Sequence, residues 1–264
     1  MPLNFRLLAF TLVMLVVPVA SQAQVSVSIN IAPPELPVYV QPVLPDDGYL
    51  WTPGFWAYSE FGYYWVPGAW VMPPSAGLLW TPGYWGWSDG IYAWNGGYWG
   101  THAGFYGGVN YGYGYGGSGY QVGRWNNGTF AYNQSANNVN VRNIHNTYNE
   151  TVVNNTGASR VSFNGGSGGV SARPTAQDQV AAHEHHVAAT SEQAQHQQAA
   201  RANPAQRVSE NHGHPAMAVT PKPGAFKGSG TAAKATTRNR ATARHATVSG
   251  PAVRAHQSRP HVAH

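Results

Sequence analysis

The chain contains no cysteine. That excludes a disulfide framework, a thiol nucleophile and a lipid-modified cysteine at a cleaved N-terminus. Charge is scarce as well: 9% of the 264 residues are Asp, Glu, Lys or Arg, and no acid follows Glu210. Beyond the N-terminus no stretch reaches the roughly 18 unbroken apolar residues of a membrane helix. There is no serine in a nucleophile elbow and no glycine-rich phosphate cradle ahead of a helix. Asp46, Asp47, Glu60 and Asp89 sit in connectors rather than as the fixed pair a glycosidase needs. These absences point away from an enzyme, and no catalytic residue, cofactor or metal ligand is expected.

Tryptophan and glycine, in contrast, are abundant. Gly (31) and Pro (19) make up about a fifth of the chain, and all ten tryptophans fall between Trp51 and Trp125, so the packed material belongs to the first half. The N-terminus has a basic Arg6, an apolar run from Leu7 to Val19 and a small-residue site at Ser21-Gln22-Ala23. This order predicts a secretory signal peptide over 1–23, too short for a permanent span. Residues 24–47 read as a short strand, with Val25, Val27, Ile29 and Ile31 on one side, and then a proline-rich linker.

Residues 48–101 hold a repeat of 14 or 15 residues. The structural positions are Trp51, Pro53, Gly54 and Trp56; Trp65, Pro67, Gly68 and Trp70; Trp80, Pro82, Gly83 and Trp85; and Trp94, Gly97 and Trp99, with Gly96 in place of proline in the last copy. Aromatic enrichment and the connector Ser88-Asp89-Gly90 predict antiparallel strands with tight turns. Two tryptophans five residues apart would point to opposite faces of an unbroken strand. One extra residue at Pro-Gly, a bulge, puts both on one side, giving a meander of bulged strands. The alternative is a short hairpin in each copy, with Pro53-Gly54 as a type II turn and Trp51 paired with Trp56. With the bulge, Thr52, Ala57, Val66, Ala69, Thr81, Gly86, Asn95 and Gly100 form a mostly small opposite face, with Tyr64 and Tyr84 as larger members, and either geometry gives an all-β sheet rich in cross-strand aromatic pairs. Each buried tryptophan stabilises by at most about 4 to 6 kcal/mol.

Residues 102–172 form a Gly/Tyr- and Asn-rich extension. Tyr111, Tyr113 and Tyr115 alternate with glycine, which fits a strand or an aromatic loop equally, and Asn126-Asn127-Gly128 predicts a hairpin turn between Trp125 and Phe130. Asn137, Asn140, Asn143, Asn146 and Asn149 recur with a period of three that suits neither helix nor strand. Residues 173–204 predict an exposed polar helix rich in Ala and Gln, capped by Thr175 and Asp178 and stopped at Asn203-Pro204. Residues 205–264 read as a disordered, basic, His-containing tail.

His183, Glu184, His185 and His186 resemble a metal cluster, but Val187 stands where the zinc-protease pattern requires histidine. Contacts through His183 and His186 or His196 stay open beside the preferred reading, solvated histidines. The basic tail suits an anionic envelope surface better than nucleic acid, given export.

In these residues the chain resembles the YXWGXW (WXXGXW) repeat family of exported bacterial proteins. The match rests on Trp51-Thr-Pro-Gly54-Phe-Trp56 and its three later copies, together with "GFYGGVNYGYGYGG" and "GRWNNGTFAYN". The resemblance implies export to the periplasm, outer-membrane association or an extracellular location, and it transfers no catalytic residues. The expectation is a mainly β, non-enzymatic structural or interaction protein of the cell envelope. Its partner would be an anionic surface or polysaccharide, and self-association through aromatic edge strands is a further expectation. The rival is a carbohydrate-binding module that uses exposed Trp and Tyr.

Overall fold

The structure, a computed structural model, describes residues 28–152, 159–226 and 232. The predicted signal peptide, and the tail after 226 apart from Ala232, lie outside the described residues.

A two-residue strand β1 (Ser28–Ile29) opens the described chain, and eight repeat strands follow from Leu50. The first four are β2 (Leu50–Thr52), β3 (Phe55–Ser59), β4 (Gly62–Val66) and β5 (Ala69–Val71). The second four are β6 (Leu79–Thr81), β7 (Tyr84–Ser88), β8 (Ile91–Asn95) and β9 (Tyr98–Gly100). β3 pairs antiparallel with β4, and β2 with β5, so copies one and two form a single long hairpin whose two arms are both interrupted at Pro-Gly. Copies three and four do the same through β7–β8 and β6–β9.

The mainly β, antiparallel class is thus borne out, but neither local geometry drawn from the sequence is the observed one. Pro-Gly ends one strand and starts another rather than adding a residue to a continuous strand. Trp51 faces Trp70 and Trp56 faces Trp65, so no copy is a hairpin by itself. The four Trp–Trp pairs nevertheless share one side of the two hairpins, as the parity argument required, with ring centroids 5.0 to 5.3 Å apart.

The described parts of the extension, 102–152 and 159–164, pack on this tryptophan layer. β10 (Asn110–Gly112) and β11 (Tyr115–Gly116) form a small ribbon, so the Gly/Tyr segment is ordered. Its glycines let the ribbon turn, with Gly112 and Gly114 at φ +75° and +88°, while the tyrosines reach inward. β12 (Gly123–Asn126) and β13 (Thr129–Asn133) form the predicted hairpin, with Trp125 opposite Phe130 and a left-handed Asn127-Gly128 turn. β14 (Thr147–Tyr148) joins β13 in parallel, and β15 (Phe163–Asn164) joins β7 in parallel. The period-three asparagines serve turns and backbone groups: Asn137 Nδ2 donates to Val122 O, and Asn146 Nδ2 donates to Asp47 Oδ1.

Three segments read as peripheral pack on the repeats. The proline-rich stretch, residues 32–47, is a strap with Leu36, Gln41 and Leu44 buried, held by indole N–H groups of Trp56 to Glu35 O and Trp70 to Pro42 O. The single helix expected over 173–204 is two, α1 (Ala176–Ala182) and α2 (Ser191–Ala202), capped by Thr175 with Asp178 and by Thr190 with Gln193. The chain between them extends so that Val187 pairs with Trp99. Helix α2 is half covered rather than free in solvent, with His196 and Ala200 buried.

Part of the stretch expected to be disordered from 205, residues 205–226, is packed. Residues 204–206 form a 3₁₀ turn, α3 (Val208–Asn211) follows, and Ala218, Val219 and Thr220 are fully buried beside Gly68. Backbone bonds Gly68 N to Ala218 O and Thr220 N to Gly68 O cover one edge of the first hairpin, just as Val187 covers an edge of the second.

Candidate functional site

The repeat residues form the most regular constellation in the molecule. Trp51, Trp56, Trp65, Trp70, Trp80, Trp85 and Trp99 are buried and Trp94 half-buried. The first tryptophan of each copy lies against the glycine of its partner copy. A Cβ on Gly68 would sit 2.7 Å from Trp51 Cζ2, and one on Gly97 would sit 2.6 Å from Trp80 Cζ2. Reciprocally, Trp65 Cζ2 presses on Gly54 and Trp94 Cζ2 on Gly83. The two Pro-Gly breaks of a hairpin also face each other, with the Gly54 amide 2.9 Å from a Cβ placed on Gly68. None of these four glycines has a positive φ, so glycine is required here for space rather than for a left-handed backbone. The W-x-P-G-x-W spacing is therefore a contact rule between copies: break the strand, bare the backbone, and lay the partner's indole across it.

Tyrosine hydroxyls from the Gly/Tyr ribbon pin carbonyls beside these breaks. Tyr115 is shared between Trp80 O at 3.0 Å and Trp51 O at 3.2 Å, equivalent positions of the two hairpins, and Tyr111 donates to Gly83 O at 2.6 Å. Burial pushes both hydroxyls far above their ordinary value, aided by neighbouring tyrosines, so they remain protonated donors. Trp85 Nε1 donates to Trp56 O and links the hairpins directly. Sequence reasoning counted the tyrosines but had no signal for their targets, because those targets are backbone atoms.

The outer faces, opposite the tryptophan layer, differ. On the first hairpin Ala57, Tyr64, Val66, Ala69 and Val71 are all buried, and Ala57, Tyr64 and Val66 form a separate cluster with Ala200 of α2 and Phe226. His196 reaches in from α2: Nε2 donates to Pro67 O and Nδ1 accepts from Gly224 N, which fixes one neutral tautomer. Burial holds its pKa below the ordinary value, only partly opposed by the Pro67 bond. On the second hairpin the equivalent positions are Gly86, Ala93, Asn95, Tyr98 and Gly100. Asn95 is exposed there, and Gly86, Ala93 and Tyr98 are half-exposed.

Over this second face lies a cleft of about 690 Å³ between β7, β8 and helix α1. Tyr84, Trp94, Tyr98 and Phe105 supply aromatic walls, and Asn95, Asp178 and Gln179 supply polar groups. Tyr98 is held by stacking on His186, 3.6 Å between ring centres, and His186 Nε2 in turn bonds Ala181 O. Asp178 Oδ2 accepts from Thr175 N and Oγ1 in the helix cap. Asp178 Oδ1, Asn95 Oδ1, the Gln179 amide and the Tyr84 hydroxyl make no hydrogen bond among the described residues. Helix α1 is anchored by Glu184, whose Oε2 accepts from Thr101 Oγ1 at 2.5 Å and whose Oε1 meets His102 Nδ1 at 2.6 Å. Those two bonds hold the Glu184 carboxyl below the usual range.

The structure separates the histidines that the sequence places together. His186 stacks on Tyr98, His196 is buried on the other hairpin, and His183 and His185 are exposed. Among the described residues no group of three or more His, Asp or Glu is placed to hold a metal ion, and no helix is long and apolar enough to cross a membrane.

This geometry defines a twin-hairpin, tryptophan-layered β repeat. The WXXGXW repeat model matches the chain twice, at residues 47–71 and 77–99, so the chain carries two WXXGXW repeats, as its resemblance implied. Each match covers two copies of the motif, one hairpin's pair of arms, with Gly96 in place of proline in the last copy. No curated protein and no solved structure matches the chain.

Proposed function

We propose that this protein is a non-catalytic structural or interaction protein of the bacterial cell envelope, with the twin hairpins as a rigid platform and the basic C-terminus as its contact with an anionic surface. One observation carries the reading: the repeat tryptophans are spent on each other, ring on ring and ring on glycine, with seven of the eight buried. Side chains so enclosed stabilise a scaffold and are not free to stack on a ligand, which weighs against sugar binding by the seven buried repeat tryptophans. Lys227, Lys234, Arg238, Arg240, Arg244, Arg254 and Arg259, with no acid among them, supply the counter-charge for an anionic partner.

The test is a deletion that starts after the packed segment. Removing residues 227–264 leaves Thr220 and Phe226 in place and should release the protein from envelope fractions, with a salt dependence that the truncated chain lacks. Unchanged envelope association after this deletion would remove the tail from the proposal.

A further inference from the structure

We propose that the cleft over the outer face of the second hairpin binds a neutral saccharide, with Tyr84 and Trp94 meeting the ring and Asn95, Asp178 and Gln179 its hydroxyls. This site is independent of the tail; of its two ring-meeting aromatics, Tyr84 lies outside the tryptophan layer and Trp94 is the one repeat tryptophan that is only half-buried.

The first support is the contrast between the hairpins. They share strands, breaks and ring contacts, yet the first covers its outer face with its own helix α2 and the second does not. The positions that receive α2 are apolar fillers, Ala57, Tyr64 and Val66. Their counterparts Gly86, Ala93 and Asn95 replace filler with space and one amide, and a Cβ on Gly86 would come within 3.1 Å of Asn95 Nδ2. This face carries aromatic walls, with Asn95 Oδ1 and the Gln179 side-chain amide turned to it without a partner among the described residues.

The second support is chemical. A cleft of this volume lies within the range of small-ligand sites, roughly 300 to 1,000 Å³. Aromatic faces accept the C–H side of a pyranose, while the hydroxyls around its rim need donors and acceptors together. The side-chain amide of Gln179 supplies both, and Asn95 Oδ1 and Asp178 Oδ1 supply acceptors, while Asn95 Nδ2 is already turned to Tyr84 O and Ala93 O. No lysine or arginine lines the cleft, so a phosphate or carboxylate would enter without a counter-charge and beside the Asp178 carboxylate. A wholly apolar ligand would strip water from Asn95 and Asp178 and return no hydrogen bond. A neutral polyhydroxylated ring satisfies both sets of groups.

The purified full-length protein would be titrated with cellotriose, maltotriose and N,N′-diacetylchitobiose, followed by saturation-transfer NMR and calorimetry. Binding of at least one is expected, with transfer to ring C–H protons. Asn95→Val, which installs the first hairpin's residue, and Gln179→Ala, on the exposed helix surface, should each weaken it about tenfold. Trp87→Ala, an exposed aromatic outside the cleft, should leave affinity unchanged. Cooperative thermal unfolding close to the parent's midpoint shows that each variant is folded. The proposal is overturned if no saccharide binds the parent, if Trp87→Ala abolishes binding, or if Asn95→Val and Gln179→Ala leave it intact. Preference of the cleft for a synthetic proline-rich peptide over every sugar would overturn it too.

Discussion

The two hairpins are alike on the inside and different on the outside. Inside, each tryptophan pair repeats at nearly one distance, and each glycine is crossed by an indole from the partner copy. Outside, one face is sealed by α2, and the other holds a cleft with uncommitted polar groups. A duplicated unit thus separates two roles. The residues that make the hairpin are the same in both halves, and those that decide what covers it are not.

The largest expected effect breaks the shared interior. Gly68→Ala places a methyl 2.7 Å from Trp51 Cζ2 and 2.9 Å from the Gly54 amide nitrogen, and its twin Gly97→Ala places one 2.6 Å from Trp80 Cζ2. Backbone and packed indole cannot move aside cheaply, so each should cost about 3 kcal/mol in urea unfolding, near the top of the overpacking range. Gly62→Ala meets open space and should cost only the left-handed backbone penalty, about 1 kcal/mol. Twins that differed widely, or a Gly68→Ala no worse than Gly62→Ala, would refute the contact rule.

A reciprocal exchange sharpens the contrast between the outer faces. Val66→Asn buries an amide under α2 with no partner and should destabilise by about 1 to 3 kcal/mol. Asn95→Val alters an exposed position and should stay within about 0.5 kcal/mol. Equal thermal shifts for the two variants would mean that the outer faces are not energetically distinct.

The join between the hairpins comes next in size. Tyr115→Phe keeps the ring but removes the hydroxyl shared by Trp51 O and Trp80 O, with an expected loss of about 1 to 2 kcal/mol. If the hydroxyl couples the halves, unfolding monitored at each should separate. A single unchanged transition with unchanged stability would show that the bridge is incidental.

These contrasts also mark how far the sequence could be read. The spacing Trp51–Trp56 and its copies announced paired indoles on one side, since only a break in strand phase reconciles a five-residue offset with a single buried face. It did not say which copy pairs with which, because Trp51 opposite Trp56 and Trp51 opposite Trp70 satisfy the same local pattern. The helix caps at Thr175 and Asp178 were legible for a local reason, a reciprocal bond three residues apart. The cover on the first hairpin was not. His196, Ala200 and Val219 sit in stretches without apolar periodicity, and their burial depends on a face more than a hundred residues earlier. The cleft left only a faint trace, the change from Val66 and Tyr64 to Asn95 and Ala93 between otherwise parallel copies.

The smallest effect concerns how the two covers respond to acid. On the first hairpin His196 is neutral, with Nδ1 accepting from Gly224 N, and burial holds its folded pKa below the ordinary value of 6.5. The unfolded chain therefore binds a proton first as pH falls. The stability held through His196 is complete above about pH 6.5 and declines as pH falls from there through the lower folded value. On the second hairpin the anchor of α1 is Glu184, depressed by Thr101 and His102, so its contribution persists above the ordinary carboxylate value of 4.5 and is lost only as pH falls through its lower folded value. Glu60 adds a similar late loss to the α2 cover: its carboxyl is depressed by a bond to its own backbone and by Arg201. Amide exchange corrected for intrinsic rate should therefore accelerate in α2 between pH 6.5 and 5 while α1 stays protected, and His196→Phe should erase that early phase. If α1 and α2 lost protection together, or if His196→Phe kept the early response, the acid sensitivity would not arise from the difference between the two covers.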